Sequence, residues 1–271
     1  MDEHEYAELL EIVRETYDYD FRGYRTESLY RRIAQFMEMA GARSPRELIE
    51  PLREDPELFD SFVERLCISY SEMFRDPPIY KFLRREIIPR LRSFPRINIW
   101  SAGSAHGEEA YSLAILLEEE NLYDRARIYA TDISKTAIQS SKEGIFNQEQ
   151  LRKYAENYAA AGGVNSFSDY VHLRYGRGII KDRIKSRVSF FTHNLTRETS
   201  FIEAQLIVCS NVFIYFNEQL QQRLLELFYR SLSPYGFLAL GVKERVPDRM
   251  LGKYFFPINS NLPVFARAQG S

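Results

Sequence analysis

The stretch that decides the fold is NIWSAGSAHGEEAYSLA, residues 98–114. A short apolar run in it breaks at two glycines, Gly103 and Gly107, and a largely apolar helical pattern follows. A strand that ends at glycine and leads into a helix allows the backbone to approach a ligand closely. Two adjacent acids, Glu108 and Glu109, stand at the start of that helix. The stretch therefore predicts a ligand site at the carboxyl end of a strand.

Strand-like and helix-like segments alternate around this stretch. The strand-like segments are INIWSA, RIYATDI, RVSFFTHNL, LIVCSNVFIYF and GFLALGV, and EEAYSLAILLEEE, SKTAIQSSKEG and NEQLQQRLLELFYRSLS read as helices. This alternation predicts an α/β fold, with a doubly wound, mostly parallel sheet covered on both faces. The last segment, LPVFARA, can pair antiparallel at the sheet edge, and residues 147–186 read as an irregular, tyrosine-rich insertion.

The first 70 residues read as a small all-helical domain. Asp55-Pro56 and Asp76-Pro77 are typical helix starts, and Gly41 is a typical helix stop. We therefore expect a helical N-terminal domain at residues 1–70 and an α/β domain at residues 71–271.

Composition excludes several classes of protein. The net charge of −2 argues against general nucleic-acid binding. No run of 18 apolar residues is present, and the acidic N-terminus is unlike a signal peptide, so we expect a cytoplasmic protein. Both cysteines lie in apolar runs and are expected to be buried thiols. The four histidines lack metal-ligand spacing, so no metal site is predicted.

The first strand end does not match the common nucleotide-binding motifs. Ala105 interrupts the dinucleotide fingerprint and stands where a nucleophile elbow needs serine, and no P-loop lysine follows. Two acids would repel a pyrophosphate, but they can accept hydrogen bonds from a cationic group or from a sugar hydroxyl. Asp132 ends the second strand, where doubly wound folds bind ribose. A cationic nucleoside such as S-adenosylmethionine fits these features, whereas simple helix-dipole compensation would explain only the acids.

Six segments, in order, carry a family resemblance: SEMFRDP (71–77), IWSAGSAHGEEAYSLA (99–114), YATDIS (129–134), HNL (193–195), CSNVFIYF (209–216) and LGVKE (240–244). Over nearly its whole length the chain resembles the chemotaxis receptor glutamate methyltransferases, the CheR family. The resemblance implies a class I S-adenosylmethionine methyltransferase fold and methylation of glutamate side chains on chemoreceptor-like signalling proteins. It implies S-adenosylmethionine as cofactor and S-adenosylhomocysteine as product. Residues 157–170 look like a branch without the family's peptide-tethering β-hairpin.

The resemblance also implies site residues. Asp132 would hold the ribose, Glu109 would face the methionine end of the cofactor, and Arg75 with Tyr215 would form the catalytic pair beside the transferred methyl. The implied cofactor-binding residues are Ser69, Ser71, Arg75, Gly103, Glu109, Asp132, Asn194, Leu195, Ser210 and Asn211.

Three places depart from the family pattern. Ser104-Ala105-His106 replaces Cys-Ser-Thr, Ser69 replaces asparagine, and Ser210 replaces arginine. The lost charge at Ser210 leaves an alternative open, in which the chain binds S-adenosylmethionine or another nucleotide as a sensor or adaptor. A methyltransferase acting on nucleic-acid amines is a weaker alternative, because Asn-Val-Phe-Ile-Tyr at 211–215 lacks the prolines of Asn-Pro-Pro-Tyr.

Arginines on one helix suggest where a partner docks. Arg25, Arg31 and Arg32 lie opposite the apolar stripe of the segment RTESLYRRIAQFMEMAG. This face can dock the glutamate-bearing helices of a receptor, and the alternative is a face that is merely solvated.

Overall fold

The computed structural model describes residues 3–67, 70–197 and 199–269. Its α-helices are α1 (Glu3–Tyr17), α2 (Thr26–Ala40), α3 (Ile49–Glu54), α4 (Pro56–Leu66), α5 (Pro77–Phe82), α6 (Ile88–Leu91), α7 (Glu108–Glu119), α8 (Lys135–Glu143), α9 (Gln148–Ala160), α10 (Asp182–Lys185) and α11 (Glu218–Ser231). Its strands are β1 (Ile97–Ala102), β2 (Ala126–Asp132), β3 (Ile145–Asn147), β4 (Val171–Arg174), β5 (Arg177–Ile180), β6 (Val188–Thr192), β7 (Ala204–Cys209), β8 (Leu232–Leu240), β9 (Phe255–Pro257) and β10 (Val264–Arg267). Within these ranges no helix is long and apolar enough to cross a membrane.

Seven strands form the main sheet, in the order β6-β2-β1-β7-β8-β10-β9. The pairs β1–β2, β1–β7, β2–β6 and β7–β8 are parallel. The predicted mostly parallel sheet is therefore confirmed. β10 pairs antiparallel with β8, as expected, but it is not the edge strand, because β9 pairs along its other side.

Helices cover the sheet on both faces. In β1, Ile97 and Ile99 pack into a core that includes α7, whereas Trp100 and Ala102 pack into a second core. The second core contains apolar side chains of both α11 and the N-terminal helices. The N-terminal helices thus share a hydrophobic core with one face of the sheet, and this holds them in place beside the strand ends.

The predicted helix boundaries in the N-terminal region follow from local capping. The Asp55 carboxylate accepts hydrogen bonds from the backbone N–H groups of Glu57 and Leu58, which starts α4. Gly41 ends α2 in the left-handed conformation, with φ of 72°. The helix after Asp76 also begins where expected, but the Asp76 side chain makes no capping hydrogen bond.

The prediction of an irregular insertion at residues 147–186 is wrong. Asn147 and Gln150 form a capping box that starts α9, and β3, β5 and β4 form a small antiparallel sheet. β4 and β5 form a β-hairpin, with Tyr175 and Gly176 both at positive φ in its turn. Two residues at positive φ suit a tight hairpin turn, although only the glycine signals it in the sequence.

Backbone hydrogen bonds join the N-terminal region directly to the segment after β7. The Arg25 N–H donates to the Tyr215 carbonyl (2.8 Å), and the Asn217 N–H donates to the Gly23 carbonyl (2.8 Å). Tyr24 and Phe216 form an isolated antiparallel bridge between them. Tyr215 is therefore held by the link between α1 and α2.

Candidate active site

A pocket lies where β1, β2, β6 and β7 end. Ten of the residues predicted for the site line it: Ser71, Arg75, Gly103, Glu109, Asp132, Asn194, Leu195, Ser210, Asn211 and Tyr215. Ser69 lies outside the described residues. Parallel strands present their carboxyl ends at one edge of a sheet, so side chains far apart in the chain meet here.

The turn after β1 requires a glycine at its first position. Gly103 has φ of +79°, and a Cβ at this position would overlap Cγ2 of Val212, from the segment after β7. The N–H groups of Gly103 and Ser104 both donate to the Thr131 carbonyl, at 2.8 and 2.9 Å. The turn is therefore fixed against β2 and packed tightly against the far side of the pocket.

Asp132 is a buried carboxylate with partners on both oxygens. Oδ2 accepts from the Ala105 N–H (2.8 Å) and Oδ1 accepts from the Ser134 N–H (3.0 Å). Burial raises the pKa of Asp132, and these hydrogen bonds oppose the rise. Each oxygen keeps further acceptor capacity toward the pocket, which suits a pair of hydroxyl groups.

Glu109 is the carboxylate at the other side of the turn. Its Oε1 accepts from the Ser101 hydroxyl at 2.8 Å, and the nearby Ser210 hydroxyl lowers the pKa of the Glu109 carboxyl. Burial raises the pKa of Glu109 to about 7, and the nearby Glu244 charge adds to the rise. A cationic partner beside this carboxylate would favour its charged form and so lower its pKa.

The two adjacent acids have separate environments. Successive helical residues point about 100° apart, and Glu108 does not line the pocket but faces a neighbouring groove. Its Oε1 accepts from the Tyr154 hydroxyl at 3.1 Å. Among the described residues, its buried Oε2 has no hydrogen-bond partner. Burial raises the pKa of Glu108 as well.

Arg75 and Tyr215, 140 positions apart in the chain, line the same pocket. Arg75 Nη1 donates to the Tyr70 carbonyl (3.2 Å), and its guanidinium lies 5.6 Å from the Tyr70 ring centroid. The Arg32 guanidinium lies over the Tyr215 ring, 4.6 Å from the ring centroid. Both side chains are partly exposed, so an incoming group can reach them.

Four of the remaining predicted residues sit in turns after β6 and β7, and the fifth, Ser71, lies between α4 and α5. Asn194 Oδ1 accepts from the Thr196 N–H (3.0 Å) and hydroxyl (2.8 Å), and this turn presents Leu195 to the pocket. Asn211 has φ of +63°. Its buried Nδ2 has no hydrogen-bond partner within the described part of the chain. A buried donor without a partner beside a pocket is suited to a ligand acceptor.

The structure corrects one feature of the arginine face on α2. Arg25 and Arg31 are exposed, but Arg32 is only 4% exposed. Its Nη1 donates to the Leu66 carbonyl and its guanidinium covers Tyr215. Helical spacing placed Arg32 on the polar face, and contacts with residues far along the chain bury it.

Sequence reasoning missed several residues of the pocket wall. Those with no role in the sequence interpretation are Tyr24, Cys67, Tyr70, Glu72, Tyr80, Ala105, Ile133, His193, Thr196, Val212 and Phe216. The segments that carry the family resemblance contain six of them, but the resemblance gives roles to other positions in those segments: Glu72, Ala105, Ile133, His193, Val212 and Phe216. Tyr24 comes from the N-terminal region, and its only distinguishing feature in the sequence is its position just before α2. Over residues 3–67, 70–197 and 199–269, no cluster of three potential metal ligands is present.

Comparison with known proteins agrees with this architecture. A family model described as "CheR methyltransferase, SAM binding domain" matches residues 69–259, and "CheR methyltransferase, all-alpha domain" matches residues 4–67. A Pseudomonas putida protein, Cher3, whose methyltransferase activity is assigned only provisionally, is 40% identical over 96% of this chain and 95% of its own.

Two further relatives are named for chemotaxis. "Chemotaxis protein methyltransferase Cher2" of Pseudomonas putida is 29% identical over 79% of this chain and 80% of its own. A "Chemotaxis protein methyltransferase" of Listeria monocytogenes is 26% identical over 90% of this chain and 91% of its own. With both family models matched in order and together spanning most of its length, the chain belongs to the CheR methyltransferase family.

Proposed function

We propose that this protein methylates glutamate side chains of chemoreceptor-like signalling proteins, with S-adenosylmethionine as the methyl donor. The observation that carries the proposal is one pocket in which ten of the residues implied by the family resemblance meet. When bound there, S-adenosylmethionine would supply a methyl group on a sulfonium. The methyl carbon would pass to a glutamate carboxylate oxygen, and the electrons of the broken bond would stay on the sulfur of the S-adenosylhomocysteine product.

The residues present fit this cofactor. Asp132 would accept from the ribose hydroxyls, and Glu109 would accept from the ammonium group of the methionine end. Asn211 Nδ2, buried without a partner among the described residues, can donate to an acceptor on the ligand. Gly103, which has no side chain, would let the cofactor approach the backbone of the turn closely. The other predicted residues that line the pocket are Ser71, Asn194, Leu195 and Ser210. We propose no role for Ser69.

The acceptor glutamate would be held by Arg75 and Tyr215. A glutamate is already ionised at neutral pH, so the reaction needs alignment and charge pairing rather than a strong base. Arg75 has no carboxylate partner among the described residues, and it can pair with an incoming carboxylate. The Tyr215 hydroxyl can donate a second hydrogen bond.

A groove beside the pocket supports a route for the acceptor. It shares Tyr70, Ser71 and Glu72 with the pocket and extends between α2, α4 and α9. Its basic lining residues other than Arg32 are Arg31, Arg65 and Lys153, and its acidic ones are Glu64, Glu72, Glu108 and Glu149. We therefore propose that a glutamate-bearing helix docks along this groove with its acids beside the basic residues, and with Arg25 outside the groove.

One experiment separates the enzyme from a nucleotide-binding sensor. The protein is incubated with methyl-labelled S-adenosylmethionine and cytoplasmic chemoreceptor fragments, and binding of S-adenosylhomocysteine is measured in parallel by calorimetry. We expect both binding and label transfer. Binding without transfer to any fragment would favour the sensor, and absence of both would contradict the cofactor assignment.

A further inference from the structure

The loop that leaves β7 is held by a carboxylate from a different segment. Glu244 Oε1 accepts from the Phe213 N–H at 2.7 Å, and its Oε2 accepts from the Asn211 N–H at 2.9 Å. Oε2 also accepts from the Gly241 N–H at 2.7 Å. Glu244 is only 3% exposed. Three backbone donors therefore converge on one buried carboxylate, and two of them belong to the loop.

The carboxylate meets the loop at its left-handed residue. Asn211 has positive φ, a conformation that asparagine adopts more readily than most residues with a side chain. A Cβ added at Gly241 would lie 2.8 Å from Glu244 Oε2 and 2.9 Å from the Asn211 nitrogen. The glycine therefore leaves the space in which the carboxylate meets the loop.

The same loop supplies one side of the pocket. Ser210, Asn211, Val212 and Tyr215 all line it, whereas Glu244 does not. Glu244 can therefore affect the ligand through the loop residues that it holds, without lining the pocket itself. LGVKE, the sequence segment that contains Glu244, belongs to the family resemblance but has no role in the proposed function.

Glu244 also acts on Glu109 through its charge. The ionisable groups that face Glu109 are Glu244, Arg75, Tyr80 and Cys209. Burial raises the pKa of Tyr80 and of Cys209, so both stay neutral near pH 7. Arg75 lowers the pKa of Glu109, and Glu244 raises it. Burial raises the pKa of Glu244 itself, and its backbone hydrogen bonds oppose the rise. Where Glu244 is ionised, removal of its charge should make Glu109 easier to ionise.

We propose that Glu244 is a positioning residue, whose buried carboxylate clamps the Ser210–Tyr215 loop into the shape that binds cofactor and acceptor. The proposal rests on the proposed function only in assigning these loop residues to ligand contact. Its test uses S-adenosylhomocysteine binding, which needs no acceptor protein.

The first variant is Glu244→Gln, which keeps the length of the side chain. Its amide has one oxygen for three backbone donors, and its NH₂ group would face an N–H, so the loop should lose its fixed shape. We expect at least tenfold weaker S-adenosylhomocysteine binding by calorimetry. The pH at which affinity declines should also move to a lower value, because Glu109 loses a negative neighbour. Exposed Glu143, changed to Gln, is the matched control and should alter neither quantity.

Gly241→Ala should disrupt the contact between Glu244 and the loop by steric overlap, without removing a charge. It should weaken binding but leave the pH of the decline unchanged, and it serves as the test if Glu244→Gln does not fold. A folded Glu244→Gln with wild-type affinity and an unshifted pH dependence would overturn the proposal, as would a Gly241→Ala variant of wild-type affinity. If wild type binds S-adenosylhomocysteine but methylates no receptor, the proposed function fails while the clamp remains testable.

Discussion

At the scale of single residues, we propose that two carboxylates divide the recognition of the cofactor. Asp132→Ala removes both backbone hydrogen bonds and the proposed ribose acceptor. Charge-assisted hydrogen bonds contribute roughly 1.5–3 kcal/mol each, so we expect at least tenfold weaker binding of S-adenosylhomocysteine by calorimetry. Asp124→Ala, at a fully exposed side chain, is the control. Unchanged affinity in a folded Asp132→Ala protein would remove the ribose role.

We expect Glu109 to make cofactor binding depend on pH. Its pKa in the free protein is raised to about 7, mainly by burial. An ammonium group beside it lowers that pKa in the complex, so binding below pH 7 must release a proton. Affinity for S-adenosylhomocysteine should therefore be constant just above pH 7 and fall by up to about tenfold per pH unit below it.

The control for this pH dependence is Glu109→Gln, measured by the same calorimetric titration. This variant should bind more weakly at pH 7.5 and show a much flatter profile between pH 7.5 and 5.5. Because Asp132 also has a raised pKa, a small residual slope is expected. If the wild-type slope persists in full, Glu109 is not the titrating group.

At the scale of elements, the β1–α7 turn and the loop after β7 have to fit each other. Gly103→Ala adds strain of about 1 kcal/mol from positive φ and a clash with Val212 Cγ2. We expect cofactor affinity to fall strongly, measured by calorimetry. The double variant Gly103→Ala/Val212→Ala removes the clash but not the strain and should regain part of the loss. No regain would mean that the two segments do not pack as described.

The two neighbouring arginines of α2 should behave differently. Arg32 is buried against Tyr215, so Arg32→Met should lower turnover and the melting temperature. Arg31 is exposed and lines the groove, so Arg31→Met should chiefly raise KM for the receptor. The KM effect should shrink in high salt, because salt screens exposed charges. Equal kinetic effects of the two variants would contradict this division.

At the scale of the whole molecule, the residues that could be predicted from the sequence are those at strand ends. Gly103, Asp132, Asn194 and Asn211 each come after a strand or close it, and parallel pairing brings all four to one edge. Periodicity could not reveal the burial of Arg32, because its covering ring comes from a segment 183 positions away.

Two other features could not be predicted from local sequence patterns, for similar reasons. The strands of the insertion have four residues or fewer, too short for a clear alternation of polar and apolar residues. Glu244 reads as an ordinary polar residue, since nothing nearby shows that backbone donors around residue 211 will surround it.

The central claim is that a carboxylate in this pocket, held by Arg75 and Tyr215, receives the methyl group. The most direct measurement is transfer of label from S-adenosylmethionine to a receptor fragment, followed by mild alkali. A glutamate methyl ester releases methanol in alkali, whereas a methylated amine keeps its label. Wild type should give alkali-labile label, Arg75→Ala at least a hundredfold less, near 2.7 kcal/mol, and Tyr215→Phe about tenfold less. Alkali-stable label, or full transfer by Arg75→Ala, would contradict the account.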